Sequence, residues 1–382
     1  MLKKTLAAAV VLLLANPVTA APSARAQSGP TAAAPAGSSS DTRRATPTRG
    51  WSVGLQRRVT SDQGQLLRTA RTFQTVGITW DEGEAPGMQI RTLSVRGWSD
   101  WKEVDGLLGG TALGSEPVWV GPARAARFRV DEWRPSLEAV FVDSGHRPGD
   151  ADAGEQPATT ARTASAAGAG GATRLADEDP WAPMPRILRR KRWGANEAWR
   201  DGDPRYTSKI KQAHIHHTAS SASYTRSEVP GILRGMYYYH THQLGWSDIG
   251  YNFLVDKFGR IWEGRAGGVG RKVYGAHTLG FNHASFGIAS ISNHAEAPAR
   301  KRMRTAVVRL AAWKLDANGR APAGKTWIYS HGSDRFPAGQ RVRLPVIDGH
   351  RDTNQTECPG RRLYRILPGL RDRAQKRADT YN

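Results

Sequence analysis

The stretch AHIHHTA at residues 213–219 decides how the C-terminal half of the chain folds. Its alternation of apolar residues and histidines predicts a buried β-strand, because successive side chains of a strand point to opposite faces. His214 and His216 would then share one face of the strand, and His217 would point to the other.

A second segment, DGHRDTNQTECPG at residues 348–360, contains His350 and the single cysteine, Cys358. A loop of this length can fold both side chains onto one ion. Two imidazoles and a thiolate suit Zn²⁺, and three protein ligands leave a position for water, whose pKa zinc lowers toward about 7. The spacing also allows a structural zinc site, with His214 or Glu357 as fourth ligand, or a Cys–His nucleophile pair.

Strands and helices alternate around these two segments. The predicted elements are helices over 227–242, 298–315 and 363–376, and strands over 211–217, 251–256, 260–265 and 285–291. Pro368 should break or kink the last helix. This order predicts an α/β domain over residues 185–382, with a mixed central β-sheet flanked by helices.

Residues 50–143 instead show short alternating runs separated by Gly and Pro, which predicts a small all-β, sandwich-like domain. Its six tryptophans either fill a small core or form a platform for glycan around Trp98 and Trp101. No catalytic constellation is evident in it. Low-complexity composition predicts a disordered spacer over 27–49 and a flexible linker over 144–184.

The N-terminus has the features of a secretory signal. Lys3 and Lys4 precede an apolar run over residues 6–15, which is too short to span a bilayer comfortably. We therefore predict a signal peptide over residues 1–26, followed by export without stable membrane insertion. An uncleaved anchor or a buried helix is the alternative interpretation.

The 382-residue chain carries a formal net charge of +21, and residues 185–382 account for nearly all of it. They contain 35 Lys and Arg against 15 Asp and Glu, a net charge of +20. Such a field suits an anionic partner, of which nucleic acid is the first to consider. The basic residues are scattered and no DNA- or RNA-binding motif is present, so we expect no nucleic-acid binding.

Seven motifs in the C-terminal half resemble, in the same order, those of the peptidoglycan recognition protein family, whose fold is shared with the type 2 zinc amidases. They are RWGA at 192–195, HHTA at 216–219, GWSDIGYNF at 245–253, WEGR at 262–265, GAHTLGFN at 275–282, GHRD at 349–352 and TECPG at 356–360. The resemblance extends over residues 190–370. Several motifs in one order are far more specific than any motif alone.

The resemblance implies N-acetylmuramoyl-L-alanine amidase activity, which cleaves the amide between N-acetylmuramic acid and L-alanine in peptidoglycan. It implies one Zn²⁺ ion held by His216, His350 and Cys358, with His217 outside the ligand set. Members that only bind peptidoglycan often lack the cysteine, so its presence predicts an enzyme, and a non-catalytic peptidoglycan-binding protein is the alternative. Such an exported enzyme would be cell-wall associated, where acidic polymers suit the basic half. Its N-terminal module would then serve either as a wall-targeting domain or as a brake on the catalytic half.

The resemblance also implies roles for groove residues. Tyr251 and Thr356 match catalytic positions, where their hydroxyls would stabilise the tetrahedral intermediate. Gly245, Trp246 and Arg265 resemble members that favour meso-diaminopimelate stems, because a guanidinium can pair with the extra carboxylate. Alternatively, Arg265 is only a surface charge. Positions that contact the sugar or the stem are matched by His240, His277 and Asn282.

Overall fold

A computed structural model describes residues 44–107, 113–154 and 180–382 of the chain. The predicted signal peptide, residues 27–43 of the spacer and residues 155–179 of the linker lie outside these ranges. Everything described belongs to one compact unit. Within it, no helix is long and apolar enough to cross a membrane.

The N-terminal module is an antiparallel sheet of nine strands, which confirms the all-β prediction. The strands are β1 (Arg49–Gly54), β2 (Gln65–Trp80), β3 (Met88–Ser94), β4 (Gly97–Trp98), β5 (Lys102–Glu103), β6 (Gly106–Leu107), β7 (Leu113–Ser115), β8 (Val118–Val130) and β9 (Glu138–Asp143). The main path runs β1-β9-β2-β8-β3-β4, while β5 pairs with β3, β6 with β7, and β7 with β2. The long alternating strands β2 and β8 therefore organise the sheet.

Three phenylalanines form the centre of this module. The ring of Phe141 lies 4.8 Å from that of Phe73 and 5.8 Å from that of Phe128. Trp80 is buried in the same core, but Trp119 is buried against the second domain instead. The core-filling interpretation of the tryptophans therefore holds for Trp80, whereas Trp119 joins the two modules.

Trp98 and Trp101 lie side by side near the guanidinium groups of neighbouring strands. Arg91 lies 5.1 Å from the Trp98 ring and 4.9 Å from the Trp101 ring, and Arg129 lies 4.4 Å from Trp101. These cation–π contacts occupy ring faces that a glycan would need. Trp98 is nevertheless 38% exposed, and the glycan platform stays a prediction.

Residues 180–382 are built on a mixed six-stranded sheet. Its strands are β10 (Ile187–Leu188), β11 (Gln212–His217), β12 (Phe253–Val255), β13 (Ile261–Glu263), β14 (Ser285–Ser290) and β17 (Ile347–Gly349), and they lie in the order β10-β13-β12-β14-β11-β17. Two further strands, β15 (Lys325–Tyr329) and β16 (Arg341–Pro345), lie outside this sheet. β12 and β13 form the expected antiparallel hairpin, and the other neighbours in this sheet run parallel. β15 and β16 form a separate hairpin.

Helices cover both faces of this sheet, which confirms the predicted α/β architecture. They are α1 (Arg190–Trp193), α2 (Val229–Tyr238), α3 (Lys301–Asp316), α4 (Arg361–Tyr364) and α5 (Leu367–Ala378). α3 and α5 pack on the face that carries Ile215 and Ile288, while α2 packs near Trp262 on the other face. Pro368 lies in the first turn of α5, where its missing N–H costs no helical bond, so the helix breaks before it.

The two modules share a buried contact next to α2. Tyr239 donates its hydroxyl to the carbonyl of Ile78 in β2 at 3.1 Å. A Cβ at Gly77 would lie only 2.6 Å from the Tyr239 hydroxyl oxygen, so the glycine permits this close approach. The apolar side chains that complete this buried contact include Val140, Val142 and Leu244.

Residues 144–154 belong to the predicted linker, but the structure packs them against the second domain. The buried carboxylate of Asp150 accepts hydrogen bonds from the Arg234 guanidinium at 2.7 and 2.8 Å. The carbonyls of Asp152 and Ala153 accept hydrogen bonds from Arg192. The flexible-linker prediction therefore does not hold for these residues, because a buried bidentate ion pair fixes a segment whose composition is that of a loop.

Candidate metal centre and active-site groove

Two parallel strands bring His216 and His350 together, and the loop that follows the second strand folds back to add Cys358, whose carbonyl accepts the Arg351 N–H at 3.0 Å. β11 and β17 run parallel, with Ile215 opposite Gly349. The residues that follow them, His216 and His350, therefore lie next to each other at the carboxyl ends of the two strands. The three potential ligand atoms lie within 4.8 Å of one another, and His216 Nδ1 is 3.7 Å from Cys358 Sγ. Ligands at about 2.1 and 2.3 Å from a tetrahedral Zn²⁺ are about 3.6 Å apart. The spacing therefore fits a zinc ion.

The protonation of the two imidazoles also fits a metal. Burial lowers the pKa of His216 well below its ordinary 6.5 and that of His350 to about 3, so both imidazoles are neutral. His350 Nδ1 is buried and has no hydrogen-bond partner among the described residues. Burial raises the pKa of the Cys358 thiol. A metal must therefore displace a proton from sulfur, and a Cys–His nucleophile pair, which needs a thiolate, is disfavoured.

Neither alternative fourth ligand belongs to this group, which among the described residues consists of His216, His350 and Cys358. His214 Nδ1 lies 2.5 Å from Asp348 Oδ1, in a pair that is fully buried. The side chain of Glu357 is 74% exposed and lies 3.0 Å from Arg351. The arrangement therefore resembles a three-ligand site with an open position more than a four-ligand structural site.

A neighbouring histidine, His277, can orient the ring of the candidate ligand His216. His216 Nε2 lies 3.2 Å from His277 Nδ1, and donation from His216 would leave its Nδ1 lone pair directed toward Cys358. His217 points to the opposite face, where its Nδ1 accepts the His294 backbone N–H at 3.0 Å. His216 and His217 therefore lie on opposite faces of β11, as the alternation in the sequence predicts.

A cavity of about 290 Å³ lies beside the candidate ligands. The predicted site residues that line it are Gly245, Trp246, Tyr251, Arg265, His277, Asn282, His350 and Thr356. His240 lies behind this wall with its ring stacked on Trp246 at 4.6 Å, and burial lowers its pKa to about 3. His216 and Cys358 are buried. The structure therefore brings all eleven predicted residues to one groove and its walls.

Hydrogen bonds fix two of these side chains in the groove. Arg265 donates to Ser247 Oγ at 2.6 Å and to the carbonyl of Ile249 at 3.3 Å. Asn282 Oδ1 accepts the backbone N–H groups of His277 at 2.8 Å and Thr278 at 3.1 Å. Arg265 is thus held at the wall with a charge available to a ligand, whereas Asn282 organises the loop that carries His277.

The residues that sequence reasoning missed come from the N-terminal module. Tyr251 donates its hydroxyl to Glu116 Oε1 at 2.8 Å, and Thr356 donates to Asp105 Oδ2 at 2.6 Å. Burial raises the pKa of Glu116 to about 8. The only local signal is an acidic residue within LGSEPVWV at 113–120, an otherwise apolar run. Both hydroxyls of the candidate site are therefore engaged by carboxyl groups from another module.

Comparison with known proteins matches the two halves of the chain separately. A family model described as N-acetylmuramoyl-L-alanine amidase matches residues 206–361. A second, described as Rv3811 N-terminal galactose-binding domain-like, matches residues 19–167.

Individual relatives match the C-terminal half. The chain is 31% identical over 184 residues to peptidoglycan-recognition protein SC1a of Drosophila melanogaster, covering 48% of this chain and 84% of that protein. It is 30% identical over 182 residues to peptidoglycan recognition protein 1 of Bos taurus, covering 47% and 82%. Among solved structures, wild-type Drosophila PGRP-LB is 27% identical with a TM-score of 0.38, covering 48% of this chain and 92% of that one.

Proposed function

Because the chain belongs to the peptidoglycan recognition protein family, we propose that it is a zinc-dependent N-acetylmuramoyl-L-alanine amidase. It would hydrolyse the amide bond between N-acetylmuramic acid and L-alanine in peptidoglycan. The observation that carries this proposal is the group formed by His216, His350 and Cys358 beside the groove. All three residues lie within the region that matches the amidase family.

The side chains around the group can support hydrolysis of an amide. A zinc ion held by these ligands would supply Lewis acidity and an activated water. Burial, and next the Glu116 carboxyl group, raise the pKa of Tyr251 well above its ordinary 10. Its hydroxyl therefore stays protonated and can donate to an oxygen that gains negative charge. Thr356 offers a second hydroxyl, which is held next to the site because its oxygen accepts the Cys358 N–H at 3.1 Å.

The groove supports a substrate with an anionic stem peptide. Arg265 lines the cavity beside Trp246, and its hydrogen bond to Ser247 fixes the guanidinium in place. A fixed guanidinium pairs well with a carboxylate, and meso-diaminopimelate carries one more carboxylate than lysine. We therefore include a preference for diaminopimelate-type stems in the proposal, with His240, His277 and Asn282 as further groove residues.

We also propose that the chain acts outside the cell, on peptidoglycan of the cell wall. The predicted signal peptide over residues 1–26 supports export. The net charge of +20 on residues 185–382 supports association with an anionic wall. The non-catalytic peptidoglycan-binding alternative predicts the same location and the same partner without hydrolysis.

Zinc analysis combined with a wall-hydrolysis assay tests the proposed function. We expect the purified chain to contain one zinc ion and to release new alanine amino groups from peptidoglycan. Chelation should abolish release, and added Zn²⁺ should restore it, while muropeptide binding by calorimetry persists without the metal. Binding without any release by the zinc-loaded chain would instead establish the non-catalytic alternative. Release that survives complete removal of zinc would refute metal dependence.

Arg265→Ala tests the stem preference. We expect kcat/KM for diaminopimelate-type muropeptides to fall about 10- to 100-fold, because a hydrogen bond to a charged group contributes about 1.5–3 kcal/mol. The value for lysine-type muropeptides should change little, since they lack the paired carboxylate. Arg271→Ala, which removes an exposed arginine stacked on Tyr206, is the matched control. Equal losses on both substrates would assign Arg265 a merely structural role.

A further inference from the structure

Two short strands of the N-terminal module lie over the groove. We call β6 and β7, together with the flanking Asp105 and Glu116, the covering strands. Gly106 and Leu107 of β6 line the cavity directly. The backbone N–H of Glu116 donates to the carbonyl of Asp105 at 2.8 Å. The two acidic residues are therefore held side by side above the candidate active site.

Each of these acids accepts a hydrogen bond from one of the hydroxyls assigned to charge stabilisation. Tyr251 donates to Glu116 at 2.8 Å, and Thr356 donates to Asp105 at 2.6 Å. Each bond joins a residue of the N-terminal module to a residue of the second domain, more than a hundred positions away in the chain. A substrate carbonyl that used these two hydroxyls would need the places that the two carboxyl groups now occupy.

The hydrogen bond between Tyr251 and Glu116 is buried, whereas the one between Thr356 and Asp105 is part-buried. Glu116 is 4% exposed and Tyr251 is 3% exposed. Glu116 Oε2 is buried and has no hydrogen-bond partner within the described part of the chain. A buried carboxyl group with one unsatisfied oxygen is costly in free energy, so the rest of the module must fix it there.

The central strand of the N-terminal module, β2, holds the covering strands in this position. β7 pairs with β2, and the backbone N–H of Ile78 donates to Ser115 Oγ at 3.0 Å. β2 in turn is joined to the second domain by the hydrogen bond between Ile78 and Tyr239. The covering strands are thus a built part of the interface between the modules.

We infer that the N-terminal module inhibits its own amidase domain, because its covering strands occupy the place of the scissile amide beside Tyr251 and Thr356. The inference rests on the proposed function of this site. Both acids lie outside residues 206–361, which match the amidase family, so the family's chemistry does not require them. Muropeptide must therefore displace the covering strands before its amide can reach the hydroxyls and the metal site.

Alanine variants of the full chain test this inference through binding and hydrolysis separately. Glu116→Ala, Asp105→Ala and the double variant remove the acceptors and should favour displacement of the covering strands. We expect muropeptide affinity, measured by calorimetry on chelated protein, to rise about 2- to 10-fold for each acceptor removed. Hydrolysis by the zinc-loaded variants should rise by a similar factor at low substrate concentration.

Glu138→Ala removes an exposed acid from the same module and should change neither quantity. Unchanged affinity in the double variant would overturn the inference. Unchanged affinity with slower hydrolysis would also overturn it, and would make Glu116 or Asp105 part of the catalytic machinery instead. If neither the unaltered chain nor any of the variants hydrolyses peptidoglycan, the proposed function fails. The affinity measurement still decides whether the covering strands obstruct the groove.

Amide hydrogen exchange on the unaltered chain is a second test, and its result does not depend on whether the variants fold. A saturating, non-hydrolysed muropeptide on chelated protein should accelerate amide exchange in residues 104–107 and 113–118, relative to the ligand-free chain. Strand β9, which does not pair with the covering strands, should not change. Slower exchange in these two segments on binding would show that the ligand and the covering strands occupy the groove together, which contradicts the inference.

Discussion

Cys358→Ser is expected to abolish both zinc binding and amide hydrolysis while muropeptide binding persists. A serine hydroxyl does not ionise at neutral pH, so it could not replace the thiolate of the proposed ligand set. The sulfur is buried behind the groove: Cys358 is 3% exposed and is not among the residues that line the cavity. The substrate-binding surface should therefore be unchanged. Metal analysis, calorimetry with muropeptide and the wall-hydrolysis assay measure the three quantities on one protein sample.

His217→Asn is the matched control for the cysteine variant. His217 adjoins His216 in the sequence, but its ring accepts the His294 N–H on the opposite face of β11. An asparagine oxygen can accept the same bond, so zinc content and hydrolysis should both be retained. Hydrolysis by Cys358→Ser without bound zinc would refute the proposed metal centre. Loss of zinc from His217→Asn would show that the strand faces were assigned to the wrong histidine.

The C-terminal domain was predictable because its signals are local. Alternation in 213–219 placed His216 and His217 on opposite faces, and hairpin and helix patterns located most elements within a few residues. The break before α5 illustrates the limit of this reasoning. The helix does break near Pro368, but the proline itself is tolerated in the first turn of α5, so the break lies in the residues that precede it.

The contribution of the N-terminal module could not be predicted in the same way. Glu116 meets Tyr251 across 135 positions of sequence, and Asp105 meets Thr356 across 251. Such contacts depend on how the two modules pack against each other. Neither the periodicity nor the composition of the sequence predicts that packing. The same holds for Asp150, whose pairing with Arg234 fixes a segment that looks like a linker. Sequence patterns located the candidate site, whereas tertiary packing determined which residues cover it.

Tyr251→Phe is expected to lower kcat about 100- to 1000-fold, the effect of removing one donor to a developing oxyanion. Muropeptide affinity should not fall, because the ring remains and only the hydroxyl is lost. Tyr237→Phe is the matched control, since it removes a hydroxyl that donates to the Asn196 carbonyl at 3.1 Å, outside the residues that line the groove. It should leave kcat unchanged.

The effect of Tyr251→Phe should depend on the covering strands, because the same hydroxyl also holds Glu116. In the full chain, its removal weakens the obstruction as well as the chemistry, so KM should fall while kcat falls. In a Glu116→Ala background the obstruction is already weakened, and the loss should appear in kcat alone. A cycle of the two single variants and the double variant therefore separates the two roles. If Tyr251→Phe retained full kcat in both backgrounds, the hydroxyl would serve only to hold the N-terminal module, and oxyanion stabilisation would have to come from Thr356 or the metal.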